Sequence, residues 1–177
     1  MLANLSLLTP RLAIRSATPD DRADLIALER DPEVMRHLNG GLPVPEAGLT
    51  DAPFLTPRGN EPEVAVIHER QTGAFVGWIA LFDEGARGGE QVAEIGYRLA
   101  RAAWGRGYGT EAVGDIATLA LTRLGVTRLR AETMAMNLGS RRVLEKAGFT
   151  HVATQPWTGP DPLPGAEAGE VFYERGP

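Results

Sequence analysis

The chain has 177 residues, of which 43% are hydrophobic, which is enough for one globular domain with a sizeable core, so a single domain is predicted over residues 1–177. Its formal net charge is −5 and it contains no block rich in lysine or arginine, which argues against a nucleic-acid partner. The absence of cysteine excludes disulfides, thiolate metal sites and cysteine nucleophiles.

The N-terminal segment and the hydropathy pattern predict a cytoplasmic protein without a membrane partner. Met1–Leu8 lacks the basic region with which a signal peptide begins. No apolar run approaches the ~18 residues that a membrane-spanning helix requires.

The first elements are predicted from alternation and from helix-capping residues. Arg11–Arg15 alternates polar and apolar side chains, as a strand does. Thr18 as N-cap and Pro19 as first helical residue begin a helix, and Asp31 begins a second, shorter one. From residue 39 to residue 62 repeated prolines interrupt every periodicity, so no structure is predicted there; such long irregular segments are often functional or mobile.

A meander of strands is predicted next. Glu63–Glu69 and Phe75–Phe82 alternate and are separated by a tight turn, which is typical of a hairpin. Asp83–Glu90 contains three glycines and is predicted to be a loop. Val92–Leu99 is the third strand, and a glycine in its middle, Gly96, indicates a bulge or a close backbone approach.

A glycine-rich turn, Trp104–Gly109, leads into an apolar helical pattern that ends near Leu124. Its alternate glycines let the backbone approach a bulky ligand, and the helix that follows directs its unpaired amides toward the same point, which predicts an anion site. A dinucleotide fingerprint does not fit because Thr110 replaces its third glycine. A P-loop does not fit either, because the only lysine is Lys146.

The C-terminal third completes an alternating pattern. Arg128–Thr133 is predicted to be a strand, and a strand on each side of a helix predicts parallel pairing. Asn137 and Ser140 stand at the start of a helix that ends near Ala147. The two final strands are predicted over Phe149–Gln155 and Glu170–Glu174. The loop that joins them, residues 156–169, is left unassigned.

Taken in order, these motifs resemble the GNAT superfamily of acetyl-CoA-dependent N-acetyltransferases, and within it the branch of the Rim-type ribosomal-protein (alanine) N-terminal acetyltransferases. The likeness covers nearly the whole chain. It implies a single-domain, mixed α/β acyl-CoA N-acyltransferase fold with a splayed central sheet of about seven strands and about four helices. The segments that carry it are Thr9–Arg15, Asp31–Met35, Glu94–Tyr97, Trp104–Ala112, Asn137–Ser140 and Leu144–Phe149.

The resemblance implies where acetyl-CoA binds. The six-residue phosphate pattern of the family maps onto Trp104–Gly109 and differs at Trp104, where the family has glutamine or arginine. The pantetheine arm is expected to pair with the backbone of the preceding strand and its end, and Asn137 either bonds that arm or caps a helix. The expected cofactor-binding residues are Tyr97, Leu99, Arg101, Arg106, Gly107, Tyr108, Gly109, Thr110 and Asn137.

Acyl transfer to an amine needs a neutral amine and a proton for the leaving thiolate. Glu94 is the candidate base; the alternative is a strand carboxylate that pairs with an arginine or orients the substrate. The resemblance implies that Ser140 protonates the thiolate, with Asn137 beside it in the catalytic group; the alternative is that Ser140 only caps its helix. The three histidines are isolated in the sequence, so no metal site is expected.

The sequence therefore predicts direct transfer of an acetyl group to a primary amine, either a protein N-terminus or a small molecule such as a polyamine, an amino acid or an aminoglycoside. The alternative from another class is an inactive CoA-binding sensor or interaction module. A nucleotide-binding oxidoreductase is disfavoured by the misplaced third glycine, and a homodimer is left open.

Overall fold

The computed structural model describes residues 2, 4–42, 44, 64–159 and 163–177. Most of the unassigned segment 39–62 lies outside these ranges, because residues 43 and 45–63 are not described; of the unassigned loop 156–169, only residues 160–162 are not described. The described elements, in chain order, are β1 (Ser6–Leu8), β2 (Leu12–Ser16), α1 (Arg22–Arg30), α2 (Pro32–Asn39), β3 (Ala65–Glu69), β4 (Phe75–Arg87), β5 (Glu90–Leu99), α3 (Tyr108–Arg123), β6 (Arg128–Met134), α4 (Leu138–Lys146), β7 (Thr150–Gln155) and β8 (Glu170–Arg175).

The strands form one eight-stranded sheet in the order β1-β2-β3-β4-β5-β6-β8-β7. Every pair is antiparallel except β5 with β6, which are joined through α3 and run parallel. This confirms the mixed, splayed sheet and the parallel unit. The eighth strand, which was not predicted, is β1 at the edge of the sheet. With three residues, it is too short to show an alternation of polar and apolar side chains.

The predicted loop over Asp83–Glu90 is wrong. β4 continues to Arg87, and only the turn at Gly88 and Gly89 separates it from β5. The pairing shifts by one residue at Gly85, which has φ 76°, and the Asp83 carboxylate accepts a hydrogen bond from the Gly85 amide at 2.8 Å. The glycines therefore accommodate a bulge within the hairpin rather than ending the strand.

The helix starts follow the predicted capping residues. Thr18 caps a short 3-10 turn, Pro19–Asp21, in a capping box with Asp21, and α1 continues from it. The Asp31 carboxylate accepts the Glu33 amide at 2.9 Å and caps α2. None of the helices in the described ranges is both long and apolar enough to cross a bilayer.

The sheet is covered on both faces, and β5 shows which helices cover which face. Ile95 belongs to a core cluster with Val113 and Ile116 of α3. The neighbouring positions face the other way, because Arg98 forms an ion pair with Glu29 of α1. Gly96 lies on that second face, where an added Cβ would meet the Phe82 ring at 2.8 Å, so the close approach predicted for Gly96 is confirmed.

Candidate active site

The parallel strands β5 and β6 separate in the middle of the sheet. Their ladder covers three residue pairs, the last of which is Glu94 with Arg130. Beyond this point β5 runs on to Leu99, while β6 pairs only with β8 on its other side. Glu94 therefore stands where a gap opens between two strands.

Alternate peptide groups of β5 face this gap. The Ala100 amide donates to the Val76 carbonyl at 2.9 Å, so every second residue before Ala100, namely Arg98, Gly96 and Glu94, directs its backbone groups toward β4. The residues between them include Tyr97 and Leu99, whose N–H and C=O groups point away from β4, toward the gap. The Leu99 carbonyl already accepts the Trp104 indole N–H at 2.8 Å, although the Trp104 ring is about half exposed.

The glycine turn connects β5 to α3 at the open end of the gap. Gly105 has φ 71° and Gly107 has φ 80°, a conformation that favours glycine. Gly107 is the N-cap of α3, and no side chain among the described residues caps this end of the helix. The first amides of α3 are therefore available to a ligand. Gly109 has a different role, since its Cβ would meet Leu99 at 2.9 Å and Val143 at 3.1 Å.

Two of the predicted arginines flank the turn. Arg106 stacks over the Tyr108 ring at 4.7 Å, and its guanidinium lies 3.8 Å from the Glu69 carboxylate. Arg101 is exposed in a 3-10 turn over Arg101–Ala103. Thr110 lies in the first turn of α3.

Arg11 and Glu111 also belong to this region, although neither was among the residues expected from the sequence to bind the cofactor. Arg11 bonds both Glu111 of α3 and the backbone of the glycine turn, at a separation of about a hundred residues along the chain. No local pattern reports such a pairing, and only the shared order of the motifs Thr9–Arg15 and Trp104–Ala112 pointed to both segments.

Glu94 lines a cavity of about 280 Å³ formed by residues of β4 to β8. Burial, together with the nearby carboxylates of Glu132 and Glu84, raises the pKa of Glu94 to about 7, while Arg130 opposes the shift. Arg130 lies opposite Glu94 in the ladder, but its guanidinium bonds Glu174 at 3.2 Å and lies 3.6 Å from Glu84. A carboxyl group that titrates near neutral pH can accept a proton from an ammonium or an attacking amine.

Ser140 is the third residue of α4 and is not its cap, so the interpretation of Ser140 as a plain N-cap is wrong. Asn137 is the cap: its side-chain oxygen accepts the Ser140 amide at 3.2 Å, and its amide donates to Thr133 at 3.1 Å. The Ser140 hydroxyl instead lies 2.9 Å from the Tyr97 hydroxyl, which also donates to the Ser140 carbonyl at 3.2 Å. Burial raises the pKa of Tyr97 well above its usual value, so this phenol keeps its proton.

The three predicted catalytic residues are divided between the faces of the sheet. Ser140 meets Tyr97 on the face covered by α3 and α4, and Asn137 accepts the Ser140 amide there. Glu94 is three positions from Tyr97 on the same strand and lies on the face covered by α1. The gap between β5 and β6 is the place where a substrate could reach both groups.

Within the described ranges, no three His, Asp or Glu side chains are grouped so as to hold a metal ion. His68 packs edge-on against Phe75 and His151 against Tyr173.

The chain is similar in sequence to known acetyltransferases. Residues 11–150 match the model of the acetyltransferase (GNAT) domain. The FsC-acetyl coenzyme A-N(2)-transacetylase of Aspergillus fumigatus is 30% identical over 97% of this chain and 76% of its own.

Two solved structures share the fold at low sequence identity. Spermidine N-acetyltransferase from Vibrio cholerae, bound to CoA and spermine, superposes with a TM-score of 0.79 at 14% identity over 94% of this chain and 96% of its own. The ribosomal-protein alpha-N-acetyltransferase RimL, bound to coenzyme A, gives a TM-score of 0.73 at 17% identity over 96% of both chains. The domain match, the fungal relative and the split parallel strands lead to one conclusion: this chain belongs to the GNAT superfamily of N-acetyltransferases and is an acyltransferase enzyme.

Proposed function

We propose that this enzyme transfers an acetyl group from acetyl-CoA directly to a primary amine. The observation that carries the proposal is the separation of β5 from β6 at Glu94, next to a helix start without a side-chain cap. At one end of this gap, the free backbone groups of β5 can pair with the pantetheine arm of CoA, which contains amides. At the other end, the Glu94 carboxylate can contact an amine. Two of the fold neighbours described above were crystallised with CoA, which supports the same use of the gap.

Coenzyme A would be held by the backbone in this proposal. The amides from Arg106 to Thr110 would bind the pyrophosphate, including those of Gly107, Tyr108 and Gly109, and Arg101 and Arg106 would add positive charge. Tyr97 and the Leu99 amide would pair with the pantetheine arm. Because the Trp104 indole occupies one lone pair of the Leu99 carbonyl, Tyr97 is expected to make most of the strand contacts. Asn137 would position the start of α4.

The reaction balances without a covalent enzyme intermediate. The neutral amine attacks the thioester carbon, the C–N bond forms, and the C–S bond breaks to release a thiolate. Glu94 takes the proton lost by the nitrogen. The Ser140 hydroxyl, held by Tyr97, donates a hydrogen bond to the thiolate. The thiolate then takes one proton from solvent to give the CoA thiol, and Glu94 returns its proton to solvent.

The acceptor is proposed only by class. Of the described residues that line the cavity, four are glutamates and Arg130 is the single cation, which favours a positively charged acceptor. Both a small-molecule amine and a protein N-terminus meet this condition. The names of the relatives span both, since one is a spermidine acetyltransferase and another acts on a ribosomal protein. A homodimer, a cytoplasmic location and a single domain over residues 1–177 stay predictions.

Calorimetric titration with acetyl-CoA, with NAD as the control ligand, tests the proposal together with a thiol-release assay. We expect acetyl-CoA to bind with a Kd of about 1–100 μM, NAD not to bind, and thiol to be released on at least one member of a panel of amines and N-terminal peptides. Binding without release on any acceptor would favour the CoA-binding sensor. No binding of acetyl-CoA would contradict both.

Ser140→Ala should lower kcat by roughly tenfold or more while leaving the Kd for acetyl-CoA within about twofold, because the lost hydrogen bond is made to the thiolate that forms during the reaction. Steady-state kinetics and calorimetry on the same variant measure the two quantities.

Thr118→Ala is a suitable control for Ser140→Ala, since it removes a hydroxyl from the exposed face of α3. Equal losses of turnover and acetyl-CoA affinity in Ser140→Ala would instead assign Ser140 a role in holding α4.

A further inference from the structure

The start of β2 is fastened to the glycine turn by Arg11. Its Nε donates to the Glu111 carboxylate at 2.6 Å and its Nη1 donates to the Arg106 carbonyl at 2.8 Å. Its Nη2 lies 3.2 Å from the position that a Cβ on Gly107 would take. The guanidinium also covers the Tyr108 ring at 4.8 Å, so it lies against both the glycine turn and the first turn of α3.

Glu111 places a negative charge close to the proposed pyrophosphate site. Besides the Arg11 side chain, its carboxylate accepts the Arg11 amide at 2.8 Å and the Thr9 hydroxyl at 2.5 Å. Burial works against ionisation of Glu111, but the hydrogen bonds from Thr9 and Arg11 outweigh it and lower the pKa. Glu111 is therefore ionised at neutral pH, one turn from amides that would bind an anion, and without a counter-charge it would repel that anion.

The contact with the Arg106 carbonyl also sets the direction of an amide. In a trans peptide the C=O of one residue and the N–H of the next point in opposite directions. Because Arg11 binds the Arg106 oxygen, the Gly107 N–H is directed away from Arg11.

We propose that Arg11 is a positioning residue for coenzyme A, which cancels the charge of Glu111 and fixes the Arg106–Gly107 peptide so that the turn accepts the pyrophosphate. This inference rests on the proposed function, since it assumes that the turn binds CoA. It adds a residue that directly precedes β2 to a site otherwise formed by β5, the glycine turn and α3.

Arg11→Met keeps the length and apolar contact of the side chain but removes its charge and donors. We expect its Kd for CoA to rise by about tenfold or more at low salt, and this loss to shrink as ionic strength rises because an unmasked Glu111 repels the phosphates. The kcat at saturating acetyl-CoA should stay close to that of the wild type. Calorimetry across a salt series measures the affinity, and Arg123→Met, at the far end of α3, is the matched control.

Removing the charge of Glu111 separates this role from a purely structural one. In Glu111→Gln the oxygen that accepts from Thr9 and the Arg11 amide is kept, while the acceptor of the Arg11 Nε is lost. Arg11 still donates to the Arg106 carbonyl and the repelling charge is gone, so CoA should bind at least as tightly as to the wild type. The double variant Arg11→Met with Glu111→Gln should bind CoA at least about threefold more tightly than Arg11→Met alone.

Three results would overturn the proposal for Arg11 while leaving the proposed function standing. They are wild-type affinity for CoA in Arg11→Met, no recovery of affinity in the double variant, and a loss of affinity in Glu111→Gln equal to that in Arg11→Met. Thermal unfolding of each variant accompanies the titrations, and Glu111→Gln tests the proposal even if Arg11→Met does not fold. A wild-type protein that binds no CoA would instead overturn the proposed function, and this inference with it.

Discussion

Glu94→Gln should lower kcat by about a hundredfold or more, the usual contribution of a positioned general base. The amide that replaces the carboxylate has the same shape but cannot take the proton that the amine loses. The Kd for acetyl-CoA should change little, because Glu94 lies on the opposite face of β5 from Tyr97 and Ser140. Thiol-release kinetics with a saturating acceptor and calorimetry with acetyl-CoA measure the two effects.

The pH dependence gives this prediction a second readout. A base acts in its deprotonated form, so kcat/KM of the wild type should rise with pH and level off above the pKa of Glu94, which is about 7. Glu132 raises that pKa, so Glu132→Gln should move the midpoint to lower pH. Glu167→Gln, at an exposed carboxylate, should leave the profile in place. A wild-type profile with no inflection near neutral pH, or near-normal turnover in Glu94→Gln, would remove Glu94 from the mechanism.

Thermal unfolding checks the same pKa without an acceptor. The pKa of Glu94 is raised from 4.5 in the unfolded chain to about 7 in the folded protein, so the folded state holds this proton more tightly. The contribution of Glu94 to stability is therefore fully present below pH 4.5 and is lost as the pH rises toward 7. Over this interval the Tm of the wild type should fall relative to that of Glu94→Gln.

Gly107→Glu should abolish measurable CoA binding. The residue has φ 80°, a conformation that side chains with a Cβ rarely adopt, and the new carboxylate would enter the proposed phosphate site with the wrong charge. Calorimetry with CoA measures the loss.

Gly88→Glu provides the same charge and a similar backbone penalty at the turn between β4 and β5, where an added Cβ meets nothing within 4 Å. CoA should bind this control as it binds the wild type. Unchanged CoA affinity in Gly107→Glu would mean that the glycine turn does not hold the pyrophosphate.

The elements that sequence reasoning located best are those whose signals are local. Alternation indicates a strand over Val92–Leu99, and the capping residues Thr18 and Asp31 mark helix starts. Short-range motifs of this kind depend on neighbouring residues alone, which is why they survive without knowledge of the fold.

The features that sequence reasoning missed depend on contacts between distant segments. Glycine at position 85 could end a strand or form a bulge, and only the pairing with β5 decides between them. Whether Ser140 caps its helix depends on whether Asn137 does so first, and its partner Tyr97 comes from another element. The bond from Arg11 to Glu111 joins residues whose spacing has no local period.

The division of the site between two faces of the sheet also bears on the order of events in a catalytic cycle. The proposed pyrophosphate turn and Ser140 lie on one face of the sheet, and the cavity beside Glu94 lies on the other. In the proposed reaction the acyl donor and the amine therefore approach from opposite faces, and neither blocks the other. A compulsory binding order in such a site would have to come from a conformational change.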